Sequence, residues 1–152
     1  MDFVRARPSS AETRWRSAAT TRIMSVDLSV GSRLPAYCTS MGRVLLASLS
    51  QSELAAYFGR VRLRPFTQHT LTSRDKLARV LESVRHNGYS IVDQELEIGL
   101  RSIAVPVTDL SGKVVAAMNI GAQATRATSR HMEQQFLPRL RAAASELGAL
   151  LA

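Results

Sequence analysis

The sequence contains few of the residues that disulfide scaffolds, metal centres and membrane segments require. Cys38 is its one cysteine, which excludes a disulfide framework and a cysteine-rich metal site. Its three histidines, His69, His86 and His131, are far apart and predict no metal site. No apolar run reaches the roughly 18 residues of a membrane-spanning helix, and the N-terminus lacks the apolar segment of a signal peptide. We therefore expect one cytoplasmic domain that uses no cofactor and contacts no membrane.

Lysine is also scarce, although the chain is strongly basic. Arginine supplies eighteen of the twenty basic residues, and with twelve acidic residues the net charge is +8. Five arginines lie in the first 22 residues, and the others are scattered singly. No helix carries the basic stripe with interleaved aromatic residues that is typical of nucleic-acid readers. The charge therefore favours a solvated arginine-rich surface with a basic N-terminal arm over direct contact with DNA.

Hydrophobic periodicity and turn residues predict an α+β fold, an antiparallel sheet with helices against it. Residues 1–20 are polar and without clear period, so we expect a poorly ordered basic leader or remnant before a domain over residues 21–152. The predicted elements are, in order, a strand over 21–28, a helix that begins at Thr39 or Ser40, a helix that begins with the Ser50–Glu53 capping box, a connector over 59–72, a helix over 73–87 that ends at Gly88, strands over 89–93, 100–108 (interrupted or locally unpaired at Pro106) and 113–121, and a helix from Ser129 with a kink or a restart at Pro138.

The start of the first helix is one candidate site. A helix N-terminus offers unpaired N–H groups and the positive end of the helix dipole. Thr39 and Ser40 add hydroxyl groups, Gly42 leaves room for close approach, and Arg33 can add a fork of donors. This arrangement suits a carboxylate, and an ordinary capped helix accounts for the same residues.

The hairpin of the last two strands is the second candidate site. A turn of two or four residues would place Ser102 opposite Asn119 and Leu100 opposite Gly121. The core face would hold Ile103, Val105, Val107, Val114, Ala116, Met118 and Ile120, and the small, partly polar face Leu100, Ser102, Ala104, Pro106, Val115, Ala117, Asn119 and Gly121. The small face is typical of a pocket wall. A three-residue turn with a bulge at Gly112 would shift the register, and a closely packed helix would explain the same small residues.

No enzyme motif is present: the sequence has no nucleophile elbow, phosphate-binding loop, dinucleotide-binding motif or zinc-protease motif. Asp93, Glu95 and Glu97 alternate along an extended link, and paired carboxylates can serve as acid and base. No nucleophile or metal-ligand set accompanies them, so we interpret them as a solvated acidic turn that pairs with neighbouring arginines, or as the rim of a binding site. If the protein were an enzyme acting on small acids, Asp93 would be the candidate general base.

Three segments together resemble the effector-binding domain of IclR-type bacterial transcriptional regulators. They are GSRLPAYCTSMGRVLLA, NGYSIVDQELEIGLRSIAVPV and GKVVAAMNIG, in the family's order and spacing. The segment LPAYCTSMGRVLLA is most similar to the branch that controls aromatic-acid catabolism through protocatechuate and β-ketoadipate. The resemblance implies a GAF-like sensor domain that is not an enzyme and binds a small aromatic or keto carboxylate.

The resemblance also implies which residues bind the effector. Matched position by position, the pocket includes Ser40, Met41, Leu100, Ser102, Asn119 and Gly121, with Asp93 and Glu95 near its rim. Asn119 stands where the family commonly has a small hydroxyl residue. From their chemistry we add Arg33, Tyr37, Thr39 and Arg101. Either arginine could pair with a carboxylate, and Tyr37 could stack on a ring.

IclR-type regulators begin with a winged helix-turn-helix, which has no counterpart in this sequence. We therefore expect a truncated domain or a late-starting reading frame that contacts operator DNA only through a helix-turn-helix absent from this chain. The resemblance further implies a dimer or tetramer whose pairing responds to the effector. The alternative is a free-standing GAF-like domain that binds a small molecule without a DNA partner.

Overall fold

The computed structural model describes residues 2–5, 12–14, 16–17 and 33–151. Its elements are β1 (Asp2–Arg5), β2 (Glu12–Arg14), β3 (Arg16–Ser17), β4 (Arg33–Pro35), a 3₁₀ turn (Ala36–Cys38), α1 (Ser40–Ala47), α2 (Gln51–Arg60), α3 (Arg74–Asn87), β5 (Ser90–Asp93), β6 (Leu100–Thr108), β7 (Val114–Gln123), α4 (Ser129–His131), a π-helical turn (Met132–Phe136) and α5 (Leu137–Leu150).

Five of these strands form one antiparallel sheet in the order β3-β1-β7-β6-β5, and β2 pairs with β4 separately. Helix α1 packs on β5, β6 and β7 with α3 beside it, and α5 packs on β6 and β7. The predicted α+β class, an antiparallel sheet flanked by helices, is confirmed.

Alternation along the strands gives the sheet two faces with different partners. Ala104 is buried with Met41 of α1 in one apolar cluster, and Ile103 is buried with Leu140 of α5 in another. We call the two sides the α1 face and the α5 face. On β6, the α1 face holds Leu100, Ser102, Ala104 and Pro106, and the α5 face holds Arg101, Ile103, Val105 and Val107.

The register of the β6–β7 hairpin differs from the predicted one. Ser102 lies opposite Gly121 instead of Asn119, a shift of two residues. The turn has three residues and ends at Gly112, whose left-handed φ of 79° suits glycine. The Gly112 N–H donates to the Asp109 carbonyl at 2.9 Å. The assumption of a two- or four-residue turn was therefore wrong.

A bulge next to the turn restores the predicted faces. Val107 pairs with Ala116 and Thr108 with Val114, so Val115 is an extra residue on β7. A three-residue turn alone would exchange the faces of β7, and the bulge exchanges them back. The faces are confirmed from Ala116 onward on β7. Val115, expected on the small face, packs with the cluster on the α5 face, and Val114, expected beside Val107 on the core face, pairs with Thr108 instead.

The helix ends follow their local signals. Thr39 caps α1, Ser50 and Glu53 form the capping box of α2, and α3 ends at Gly88. Pro138 stands at the start of α5, directly after the π-helical turn. Because proline donates no backbone hydrogen bond, the regular helical ladder is interrupted there. The predicted restart at Pro138 is confirmed.

Two predictions concern the N-terminal region and Pro106. Three short strands, β1 to β3, lie within residues 1–20, where little regular structure was expected. Strand β1 adds its backbone to the edge of β7, a pairing that periodicity does not report. The strand expected over 21–28 lies outside the described residues. Strand β6 continues through Pro106 and is not interrupted there. It is locally unpaired on one side, the other predicted outcome, because β5 begins opposite Ala104 and gives Pro106 no neighbour on that side.

Candidate functional site

The first turn of α1 is held by its own cap. Thr39 Oγ1 accepts from the Gly42 N–H at 3.2 Å and donates to the Pro35 carbonyl at 3.2 Å. A Cβ at Gly42 would lie 2.3 Å from the Ala36 carbonyl oxygen. The room at Gly42 is therefore taken by the chain itself, and the hydroxyl of Thr39 serves as the N-cap instead of a ligand contact.

Ser40, by contrast, carries a polar atom that is buried and unused. The residue is 1% exposed, and its Oγ has no hydrogen-bond partner among the described residues. The backbone N–H groups of Ser40 and Met41 precede the first intrahelical bond, which the Arg43 N–H donates to the Thr39 carbonyl at 3.0 Å. Donors and a hydroxyl are thus grouped at the positive end of the helix.

The α1 face of the sheet supplies the opposing wall. Ser102 and Asn119 are buried there, and Asn119, 5% exposed, has an Oδ1 atom without a partner in the described part of the chain. Gly121 leaves the wall open beside Leu100, whose Cδ1 would lie 3.6 Å from an added Cβ. Because α1 packs on both strands, unsatisfied polar atoms occur on the two elements that face each other.

Asp93 and Arg101 lie on the α5 face, away from this wall. Asp93 Oδ2 accepts from Arg101 Nη2 at 2.8 Å, and Arg101 also donates to the carbonyls of Ala124 and Ala127. The Arg101 guanidinium lowers the pKa of the Asp93 carboxyl. Both were expected at the effector, but side chains alternate along a strand, so neighbours of Ser102 point to the other face. The Asp93 carboxyl, the candidate base of the enzyme alternative, therefore lies on the opposite face of the sheet from Ser102 and Asn119.

Glu95 is also committed to another contact. Its Oε2 accepts from Arg43 Nη2 at 2.6 Å and from the Leu71 N–H at 2.9 Å. A carboxylate in a buried ion pair with these donors is not a free group at a pocket rim. The predicted pairing with an arginine is therefore present at Glu95, but the residue is buried and not solvated.

Tyr37 and Arg33 complete the predicted set. The Tyr37 hydroxyl donates to the Arg64 carbonyl at 2.8 Å and accepts from the Arg64 N–H at 2.9 Å, and burial raises its pKa. It holds the connector after α2 rather than a ligand ring. Arg33 is exposed on β4, in the separate two-stranded ribbon.

Sequence reasoning missed two buried polar residues. Arg43 lies inside α1 with 3% exposure, although a charged helical residue is ordinarily exposed. Ser90 lies on the α1 face opposite Ala104, and its Oγ has no partner among the described residues. A serine at the start of a strand gives no sequence signal that it is buried. Knowing that Ser90 pairs with Ala104 would have placed it on the α1 face.

Cys38 carries the one thiol of the chain, and its surroundings make that thiol unreactive. Its thiol is fully buried and contacts the Pro35 carbonyl at 3.8 Å. Burial raises its pKa to about 12, so it stays protonated. Within the described ranges, no cluster of His, Cys, Asp and Glu could hold a metal ion. None of the helices found there is long and apolar enough to span a membrane.

Comparison with protein families decides what kind of domain this is. Residues 16–149 match the family of bacterial transcriptional regulator IclR C-terminal domains. The chain belongs to this family. The expected IclR-type effector-binding domain is thereby confirmed. A regulator's domain is favoured over both a free-standing sensor and an enzyme.

Relatives within the IclR family support the aromatic-acid branch. The Pca regulon regulatory protein of Pseudomonas putida is 52% identical over 132 residues, which are 87% of this chain and 45% of that protein. The p-hydroxybenzoate hydroxylase transcriptional activator of Acinetobacter baylyi is 35% identical over 126 residues, or 83% of this chain and 46% of that protein. The chain thus spans about half the length of the curated relatives it matches.

A solved IclR-family structure contains a ligand. The PobR inducer-binding domain from Acinetobacter, a double mutant in complex with 3-hydroxybenzoic acid, superimposes with a TM-score of 0.86 at 30% identity, covering 98% of this chain and 87% of that one. A putative transcriptional regulator from Rhodococcus sp. RHA1 gives a TM-score of 0.89 at 39% identity, covering 97% of this chain and 58% of that one.

Proposed function

We propose that this IclR-type domain senses a small aromatic carboxylate bound between the start of α1 and the α1 face of the sheet. The observation that carries the proposal is the pair of buried atoms, Ser40 Oγ and Asn119 Oδ1, that lack partners among the described residues. Leaving a buried polar group unpaired costs about 1–3 kcal/mol. A ligand that pairs with both atoms recovers this cost.

The start of α1 suits the carboxylate of such a ligand. The Ser40 and Met41 N–H groups lack intrahelical acceptors, and the helix dipole favours negative charge. The Ser40 hydroxyl adds a donor beside them. Arg43 and Arg101 already pair with carboxylates of the chain. The backbone N–H groups and the Ser40 hydroxyl therefore supply the donors for the ligand carboxylate.

The sheet wall suits a substituted ring. Leu100 and Val92 contribute apolar surface on the α1 face, while Ser102 and Asn119 offer hydrogen bonds to ring substituents. An apolar cleft with a few convergent polar groups is the usual form of a small-molecule site. The PobR complex with 3-hydroxybenzoic acid supports an aromatic acid, and a keto acid is the second candidate.

The wider role of the protein is that of a bacterial transcription factor in the cytoplasm. Operator contact belongs to a helix-turn-helix domain outside this chain, and the effector acts by shifting how protomers pair as dimers or tetramers. The family match and the regulator names of the relatives support this role. Light scattering of the purified chain with and without ligand measures the pairing.

Calorimetric titration tests the binding site. The probes are protocatechuate, 4-hydroxybenzoate, 3-hydroxybenzoate and β-ketoadipate. We expect saturable binding of at least one acid, and a loss of affinity of at least about tenfold in Ser102→Leu and in Asn119→Leu, equivalent to about 1.4 kcal/mol. Leucine fills the wall and removes the polar contact.

Thr108→Leu is the matched control, because Thr108 is exposed at the far end of the same strand as Ser102. It should bind like the unaltered chain. Equal binding by all three variants would move the site away from the α1 face. Failure of the folded, unaltered chain to bind any of the four acids would reject this ligand class.

A further inference from the structure

Arg43 is the most buried charged residue in the described part of the chain. It is the fourth residue of α1, and only 3% of its surface is exposed. Its Nε donates to the Tyr37 carbonyl at 2.8 Å, and its Nη2 donates to Glu95 Oε2 at 2.6 Å. Glu95 is itself only 9% exposed. One guanidinium therefore joins the chain before α1 to the loop between β5 and β6.

Glu95 extends this connection to the segment before α3. Its Oε2 also accepts from the Leu71 N–H at 2.9 Å, and its backbone carbonyl accepts from Thr70 Oγ1 at 2.6 Å. The carbonyl of Gln94 accepts from Thr67 Oγ1 at 2.7 Å. The start of the β5–β6 loop is thus held on one side by α1 and on the other by residues 67–71.

The loop fixed in this way leads directly into the sheet wall of the candidate site. Gln94 has a φ of 57°, a left-handed conformation that costs energy in a residue with a side chain. Its N–H donates to the Leu100 carbonyl at 2.7 Å, and its side chain accepts from the Gly99 N–H at 3.0 Å. Gln94 is thus bonded to both Gly99 and Leu100, and Glu95 is the next residue after Gln94 in the chain. The position of Glu95 therefore constrains the position of Leu100.

Stability alone does not account for a buried ion pair. Desolvation of the two charges offsets much of their attraction, and apolar residues of similar volume often serve equally well. What the charged pair adds is a single geometry, because the guanidinium fork and the carboxylate match in one orientation.

We propose that the Arg43–Glu95 ion pair is a positioning element for effector binding. It sets the distance between the first turn of α1, with Ser40, and the β6 wall, with Leu100 and Ser102. Neither charged group touches the ligand. This inference rests on the proposed function, since it concerns the two walls of that same site.

A double-mutant cycle tests the pair. The variants are Arg43→Met, Glu95→Leu and the double variant Arg43→Met/Glu95→Leu. Each single variant leaves one buried charge unpaired, so its melting temperature should fall sharply. The double variant should regain most of that loss, yet bind the best acid roughly tenfold more weakly than the unaltered chain. A purely structural pair would recover affinity together with stability.

Arg85 and Glu82 provide the matched control. Arg85 Nη1 lies 2.8 Å from Glu82 Oε2, and Arg85 Nε donates to the Ala47 carbonyl at the other end of α1. This pair also holds α1, but it is exposed and far from the β5–β6 loop. Arg85→Met/Glu82→Leu should lower the melting temperature and keep affinity within about twofold. Equal affinity in both double variants would overturn the proposal.

Hydrogen exchange separates this inference from the proposed function. The amides of Gln94 and Gly99 do not bond to the substituted side chains. With no ligand present, these amides should exchange at least about tenfold faster in the Arg43→Met/Glu95→Leu variant than in the unaltered chain. Their exchange rates should be unchanged in the Arg85→Met/Glu82→Leu control. Unchanged exchange would show that the pair positions nothing, even if the unaltered chain bound none of the acids.

Discussion

Several arginines in the described part of the chain hold backbone segments through their carbonyl groups. Arg101 donates to the carbonyls of Ala124 and Ala127, in the turn before α4, while pairing with Asp93. Alternation next to Ser102 would have been sufficient to predict that Arg101 lies on the opposite face, although Arg101 was expected at the effector. Burial of Arg43 could not be predicted in this way, because its partners come from loops distant in sequence and leave no periodic signal.

Asp93 gives a prediction for pH dependence. Arg101 lowers its pKa in the folded chain. The pair therefore contributes stability above the ordinary carboxyl pKa of about 3.9, and this contribution is lost as the pH falls through the lowered value. Asp93→Asn should lower the melting temperature at pH 7 and flatten its decline between about pH 5 and pH 3. Thermal unfolding across that range measures both effects.

Asp93→Asn also tests whether a residue on the α5 face affects effector binding. Because Asp93 lies on the α5 face, Asp93→Asn should keep effector affinity within about twofold. A larger loss in the calorimetric titration would return Asp93 to the binding site.

At the scale of elements, helix ends were predictable and strand pairing was not. Thr39, Ser50 and Ser73 each cap the helix that follows, which is a local event. The hairpin register depends on the turn and on the bulge at Val115, and the bulge has no sequence signature here. The faces were predicted correctly because the two irregularities cancel.

The entry into α1 gives a prediction about packing. A Cβ at Gly42 would lie 2.3 Å from the Ala36 carbonyl oxygen and 2.4 Å from Ala36 Cα, so backbone must move. Gly42→Ala should lower the free energy of unfolding by roughly 1–3 kcal/mol, measured by urea unfolding. Gly59→Ala is the control: no atom lies within 4 Å of its added Cβ, and alanine should stabilise α2 by up to about 1 kcal/mol. If Gly42→Ala left the free energy of unfolding unchanged, the backbone at Ala36 would be able to move aside at little cost in energy.

At the scale of the whole molecule, the two faces of the sheet differ in their residues and in the helix that covers them. The α1 face carries small and polar residues such as Ser102 and Asn119, while the α5 face carries Ile103 and Val105 under α5. The resemblance implied the first set together with Asp93 and Glu95, and Arg101 was added for the chemistry of its side chain. Asp93 and Arg101 pair with each other on the α5 face. Glu95 pairs with Arg43, a contact that only the folded chain brings close.

Leu140 tests this division. It is fully buried under the α5 face, and Leu140→Ala removes packing on the side away from the proposed ligand. We expect a loss of roughly 2–5 kcal/mol in the free energy of unfolding, with affinity of the folded fraction within about twofold. Urea unfolding and titration at low temperature measure the two quantities. A parallel loss of affinity would show that the two faces are coupled.

The three-residue turn and the bulge at Val115 together determine which side chains of β7 lie on each face of the sheet. A change of one residue in either feature exchanges the faces. Deleting one turn residue alone would rotate β7 by half a turn, carrying the Asn119 amide under α5 and the Met118 thioether toward α1. Deleting one turn residue together with the bulge residue would leave both where they are. Insertions and deletions in this hairpin therefore preserve the two faces, and with them the proposed binding site, only when they come in compensating pairs.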